Sequence, residues 1–397
     1  MPRFDPFVGL RYGPDADDIS GVICPPYDVI DEAQRRALEA EHEANIVRLE
    51  LPQPDAEHDR YRAAAELLRR WRAPGGPLAL DDGEAFYVYR MGFHDEAGRP
   101  RQTTGVLGAL HLEPPGDGIL PHERTTPKDK QDRLDLLRAT RTNLSPIWGL
   151  TLAPGLSQLA ELGSPPDARA TDMDGVHHRL WRVTSPGIID AIAGTVASAP
   201  VVVADGHHRF EVGLAYQAEQ GAGGPQDAIL ALVVELSEDQ LFVAPVHRLL
   251  SGLPAGWAPP AWSEWFEVTP MAAPDGGVVD RLVASGGMGV VTRQGTWLLQ
   301  PRAALEEAAP MPLDSSRLEV VLEQMPGLTV RYQHGWAAAV GAVANDDADA
   351  AVLLRPATVP QIAEAARRRE RMPPKTTFFT PKPATGMVLR GLDDQRP

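Results

Sequence analysis

A proline or a glycine interrupts this chain about every five residues, with 38 Pro and 36 Gly in 397 positions. Proline removes a backbone donor and clashes with the preceding helical turn, and glycine inside a helix costs about 1 kcal/mol relative to alanine. Long helices are disfavoured, so the chain must be assembled from short elements joined by many loops. No apolar run approaches the ~18 residues of a membrane-crossing helix. No fixed-period repeat or low-complexity tract is visible. A hydrophobic content of 43% is ample for packed cores, and 397 residues suit two or three domains.

The 38 basic and 54 acidic residues leave a net charge of −16. A nucleic acid or an anionic membrane would meet repulsion, and no helix-turn-helix is recognisable, so neither DNA nor a membrane is an expected partner. A local basic site for a small anion is compatible with this charge, as is a homodimer. Cys24 is the only cysteine, which rules out an intrachain disulfide and reads as a small buried residue. The start, MPRFDPFVGLRYG, has no long apolar segment. A cytoplasmic protein is expected.

Residues 31–43 and 57–73 read as amphipathic helices, and 85–93 and 103–113 as strands. After the turn PPGDG come a loop leading into a helix within 121–141, a strand at 145–152, another at 175–183, and a helix at 185–199 with Pro186 in its first turn. Residues 227–236 and 241–249 read as a strand pair. The stretch 254–277, rich in proline and glycine, is the best candidate for a linker or domain boundary. Beyond it, strand-like 287–300, helix-like 315–325 and strand-like 350–356 indicate a mixed region. Strand and helix signals alternate throughout, so the fold class is α/β or α+β.

The stretch VVVADGHHRFEVGLAYQ (201–217) concentrates the chemistry. Val201–Ala204 reads as a buried strand, and Phe210, Val212, Leu214 and Ala215 follow at helical spacing. Between them stand Asp205, Gly206, His207, His208 and Arg209. A helix start offers unpaired N–H groups and the positive end of the macrodipole. Gly206 lets an anion approach the backbone, Arg209 adds a forked donor, and the histidines add further donors, which together describe a phosphate cradle. Asp205 could hold Mg²⁺ or orient a hydroxyl. The plain alternative is a helix capped by Asp205, with two ordinary polar histidines.

Three other clusters carry weaker signals. Residues 120–141 hold His122, Glu123, Arg124, Thr125, Lys128, Lys130 and Arg133. A loop glutamate among positive neighbours stays ionised and can accept a proton, although a solvated loop and helix face would have the same composition. Residues 365–386 place four arginines within five positions, then Lys375, Thr376, Thr377 and Lys382 between prolines. Such a stiff loop can close over phosphates, or it can be a tail anchored by Phe378 and Phe379. In VICPPYDVI (22–30) a diproline presents Tyr27 and Asp28, and His247 and Arg248 end a strand-like run.

Four separated blocks, PPYDV, LPHERTTPKDKQDRLDLLRATRTNLSPI, ADGHHRFE and MPPKTTFFTPKPATG, resemble in order the bacterial domain-of-unknown-function 1015 family, from near residue 4 to near 392. That family in turn resembles the ParB/sulfiredoxin-like superfamily and, within it, the free serine kinases, which phosphorylate L-serine with ATP or ADP. The resemblance implies that Asp205–Arg209 is the turn that opens the phosphate-binding helix. It implies too that Glu123 is the base, because those kinases carry a glutamate in an upstream proline-flanked loop. The chain is much longer than the minimal superfamily domain, so its N- and C-terminal parts receive no role from the likeness.

The expected organisation is an N-terminal α/β region (1–113), a ParB/sulfiredoxin-like catalytic domain (114–253) and a C-terminal α/β region (254–397). The expected function is a small-molecule kinase acting on free L-serine or a similar hydroxy compound. Glu123, Asp205, His207, His208 and Arg209 would be catalytic. Gly206, His207, His208, Arg209, His122, Arg124, Thr125, Lys375 and Thr376 would hold ATP or ADP, and Tyr27, Asp28, His247 and Arg248 the substrate. Asp205 would ligate Mg²⁺. Two other classes stay open: a metal-dependent hydrolase using His122, Glu123, Asp205, His207, His208 and His247, and a non-enzymatic nucleotide-binding regulator.

Overall fold

The computed structural model describes residues 1–13, 18–114, 116, 118–121 and 130–395. It is a mixed α/β fold with two compact units. One comprises Met1–Phe93, Pro100–Phe242 and Pro381–Pro397, and the other His94–Arg99 and Val243–Thr380. The first unit thus takes residues from all three of the regions expected from sequence. Among the described residues no helix is long and apolar enough to cross a membrane.

The first unit is built on a mixed sheet of nine strands. Its order is Ile119–Pro121, Val201–Asp205, Ile147–Thr151, Ala228–Glu235, Pro100–His111, Phe86–His94, His177–Val183 and Ala168–Thr171, with Phe4–Asp5 also paired to Pro100–His111. Ile119–Pro121 runs parallel to Val201–Asp205, and Ile147–Thr151 parallel to Ala228–Glu235. The central strands are apolar on both faces, as their near-continuous Val, Ile and Leu runs require. Most expected elements form: helices Glu32–Glu41, capped by Asp31, Arg60–Trp71, Lys130–Thr140, Pro186–Ala197 and His207–Gln220 match the periodic stretches. Cys24 is buried.

Two local expectations are corrected. The strand pair 227–236 with 241–249 does not form. Ala228–Glu235 already has Pro100–His111 on one edge and Ile147–Thr151 on the other. Val246–Ser251 instead pairs with Thr329–His334 and Ala350–Leu353. Residues 254–277 are not a connector, because Trp262 and Phe266 lie in the core of the second unit. The prolines there mark turns, and the aromatic residues between them were the contrary signal.

The second unit is an antiparallel six-stranded sheet with helices Val278–Ser285, Asp314–Leu322, Trp336–Ala344 and Val359–Arg368. Adjacent residues of one strand enter different cores: Leu250, Val290 and Val352 one, Leu249, Val291 and Ala351 the other. That is the period-two alternation of a sheet covered on both faces.

In the first core, Phe4 and Phe86 stack at 5.0 Å over Gly108. A Cβ at residue 108 would fall 2.4 Å from the Phe4 ring and 2.7 Å from the Phe86 ring. Gly108→Ala is therefore expected to cost about 1–3 kcal/mol through overpacking, read as a lower urea midpoint at unchanged slope.

Candidate functional site

The strand Val201–Asp205 is buried through Ala204, and the chain turns at Gly206 into the helix His207–Gln220. Gly206 has φ +84°, a left-handed conformation that side chains rarely adopt. A Cβ there would also stand 3.1 Å from the Arg209 guanidinium and from Ile147 Cγ2. Gly206 occupies the N-cap position and no side chain caps the helix, so Asp205 is the last strand residue rather than the cap. The amides of His207, His208 and Arg209 therefore begin the helix without intrahelical acceptors.

Asp205 is the hub of an ion-pair chain. Its Oδ2 accepts from Arg209 Nη2 at 3.0 Å and its Oδ1 lies 3.2 Å from Lys382 Nζ, which donates to Asp28 Oδ2 at 2.5 Å. Burial alone would raise the Asp205 pKa, but Lys382 and Arg209 outweigh it and hold the carboxyl below its ordinary range. Burial would lower Lys382, and Asp205 and Asp28 outweigh that in turn, so the ammonium is held above its ordinary value. Arg209 Nη1 donates to the Pro146 carbonyl at 2.5 Å. Tyr27 lies against two cations, with its ring centroid 4.4 Å from the Arg133 guanidinium carbon and 6.0 Å from that of Arg209.

Lys382, read from sequence as part of a stiff loop able to close over phosphates, pairs instead with two carboxylates. Its flanking prolines were the only local sign. Its segment is fixed by a buried relay: Ala384 N–H donates to Tyr89 Oη at 3.1 Å, Tyr89 Oη meets His178 Nδ1 at 2.7 Å, and His178 Nε2 meets Asp172 at 3.0 Å. Arg133, noted only as part of a basic run, is buried and donates to the Glu50 carbonyl at 2.7 Å.

The other expected residues are distributed as follows. Tyr27, Asp28, Asp205, Gly206, His207, His208 and Arg209 all belong to the first unit, and all but the two histidines enter the contacts above. His122, Glu123, Arg124 and Thr125 lie outside the described residues. Lys375, Thr376, His247 and Arg248 belong to the second unit. There Thr376 lines a cavity of about 350 Å³ with Asp314, Ser315, Arg317 and Arg355. Arg248 is buried, donating to the Val246 carbonyl at 2.7 Å and the Lys375 carbonyl at 3.1 Å. His247 is fully buried, accepts the Leu354 N–H through Nδ1 at 3.2 Å, and is pushed down to about 4, mainly by burial. Its geometry, like that of Arg248, is that of a core residue rather than of a substrate contact.

Asp205 does not fit as an open magnesium ligand, because cations hold both of its oxygens. Among the described residues no three His, Cys, Asp or Glu side chains gather to hold a metal, so the hydrolase set finds no geometry there.

The opposed shifts of Asp205 and Lys382 give a signed expectation. The depressed carboxyl stabilises the fold above its unfolded pKa of about 4, and that share fades as pH falls through the folded value. The raised ammonium contributes fully below its unfolded pKa of about 10.4 and loses its share as pH rises through the folded value. Urea unfolding should show the stability gap between the parent and Lys382→Met widest between about pH 4 and pH 10. A gap independent of pH would contradict the pairing.

Several solved structures resemble this chain. A free serine kinase in complex with AMP is 16% identical, covering 66% of this chain and 84% of that one at a TM-score of 0.37. A conserved hypothetical protein from Pyrococcus furiosus is 15% identical, covering 70% and 94% at 0.37. SbnI with a C-terminal truncation, from Staphylococcus aureus, is 14% identical, covering 72% and 87% at 0.39. Likenesses of this size settle neither fold nor activity. No curated protein matches the chain. A family match over residues 4–319 contains the first three sequence blocks, while MPPKTTFFTPK begins beyond it at Met372. The matched family is described as protein of unknown function (DUF1015), and the chain belongs to it.

Proposed function

We propose that the chain is a small-molecule kinase that moves a phosphoryl group from ATP or ADP to the hydroxyl of free L-serine or a similar small hydroxy compound. One observation carries the reading: both ends of the His122–Asp129 segment are anchored beside the strand-to-helix turn. Pro121 pairs with Val203 in parallel register, so its strand leaves the sheet at the same end as Asp205. Lys130 Nζ is 2.6 Å from Glu211 of the helix that the turn opens. The reading assigns the base to Glu123, which follows Pro121 by two positions in the sequence.

In this reading the uncapped amides of His207, His208 and Arg209 hold the polyphosphate, with Gly206 allowing its approach. Asp205 and Lys382 orient Arg209, and the histidines add donors to the transferring phosphoryl oxygens. Glu123 takes the proton of the acceptor hydroxyl as its oxygen bonds to the terminal phosphorus. The bond from that phosphorus to the bridging oxygen breaks, and the shortened nucleotide leaves. No step is assigned to a metal at Asp205. Phosphoryl transfer asks mainly for positioning and electrostatics, which such a junction supplies.

The test is ³¹P NMR of the protein with ATP or ADP, Mg²⁺ and an amino-acid panel. A new phosphomonoester signal with L-serine is expected. Glu123→Gln should keep nucleotide affinity within about twofold and lower turnover by about 10²–10⁴. Nucleotide binding without transfer to any acceptor would instead make the chain a nucleotide-gated regulator.

A further inference from the structure

A cavity of the first unit, about 410 Å³ in volume, is lined in part by Tyr27, the residue whose ring lies 6.0 Å from the Arg209 guanidinium carbon. Helix Glu32–Glu41 starts on one side of it and helix Arg60–Trp71 on another, and its wall includes Tyr27, whose ring faces Arg133 and Arg209. The volume lies within the usual range of small-molecule sites. Its lining carries three guanidinium groups, Arg35, Arg60 and Arg133, and three carboxylates, Asp31, Glu32 and Asp132.

These charges are arranged in internal pairs. Arg35 binds Glu32 at 2.8 Å, Arg60 binds Asp132 at 2.7 Å, and Arg133 binds the same Asp132 at 2.5 Å. Asp31 accepts the Gln34 amide at 2.8 Å through Oδ1 and caps the first helix. A wall with three charges of each sign offers no net attraction to an anion or a cation alone. A ligand carrying both charges a few ångströms apart can exchange with such pairs without leaving a buried charge uncompensated, which is the costly outcome. Arg60 is half exposed and Asp132 a quarter exposed, so that pair is open to exchange.

We propose that this cavity is the acceptor subsite and takes a free α-amino acid as its zwitterion, with the carboxylate on Arg60 and the ammonium on Asp31. The proposal deepens the kinase reading and rests on it for the word acceptor, but the binding it asserts can be measured without turnover. Tyr27 is the shared wall. It lines the cavity and lies 6.0 Å from the Arg209 guanidinium carbon, which puts the ligand near the phosphate turn.

The test is calorimetry on the full chain, with and without ADP, using L-serine, 3-hydroxypropanoate (no ammonium) and ethanolamine (no carboxylate). Serine should bind at least about tenfold more tightly than either half-molecule, because each charged hydrogen bond is worth about that factor or more. Arg60→Gln should weaken serine and 3-hydroxypropanoate about tenfold and spare ethanolamine. Asp31→Asn, which keeps a helix-capping side chain, should weaken serine and ethanolamine and spare 3-hydroxypropanoate. Absent serine binding, equal affinity for the three ligands, or serine affinity unchanged in both variants overturns the proposal. Phosphate transfer to serine with affinity indifferent to Arg60 and Asp31 would sink the subsite and keep the kinase. Serine binding that depends on both residues, with no transfer, would keep the subsite and sink the kinase.

Discussion

Lys382 must keep its positive charge with only 13% of its side chain exposed, and much of the first unit follows from that requirement. A buried ammonium without partners gives up its proton rather than bear the desolvation cost. Here two carboxylates compensate it, Asp28 from the N-terminal region and Asp205 from the end of a central strand. The final segment of the chain must therefore return to the first unit, and the backbone confirms the path. Cys24 and Thr385 exchange hydrogen bonds, as do Leu10 and Leu389. Arg390 is buried and donates to the Ala228 and Pro225 carbonyls.

The same pairing constrains the chemistry available at the turn. Asp28 and Asp205 balance Lys382 and Arg209, so these four groups attract an anion no more than a cation. In the proposed reading the attraction to phosphate comes instead from the first amides and the macrodipole of the helix that begins at His207. Lys130 adds a cation beside that helix, 2.6 Å from Glu211. The ion pairs then act as a frame: they fix the orientation of Arg209 and the backbone around Gly206.

The junction itself was legible because its signals are local. An apolar run, a glycine and a helical period lie within seventeen residues, and the strand, turn and helix fall where they indicate. What was hidden depends on the partner rather than on the segment. Nothing in 227–236 or 241–249 says that the former already has two neighbours in a central sheet. A lysine between two prolines gives no hint of carboxylates 177 and 354 positions away. His247 and Arg248 read as substrate contacts at the end of a strand. A strand with both faces covered buried them, one as a neutral acceptor and the other bound to backbone carbonyls.

Two of the chain's constrained glycines differ in kind. At Gly108 the constraint is a steric one from the aromatic core, and any side chain would meet Phe4 and Phe86. At Gly206 the constraint is conformational as well as steric, since φ is +84° and Arg209 and Ile147 lie against the missing Cβ. A packing glycine serves stability alone. A left-handed glycine at the N-cap puts no capping side chain over the first turn of the helix and sets that turn beside a fixed guanidinium. In the proposed reading the left-handed turn is kept for what the helix start binds, whereas Gly108 is kept for the core it completes.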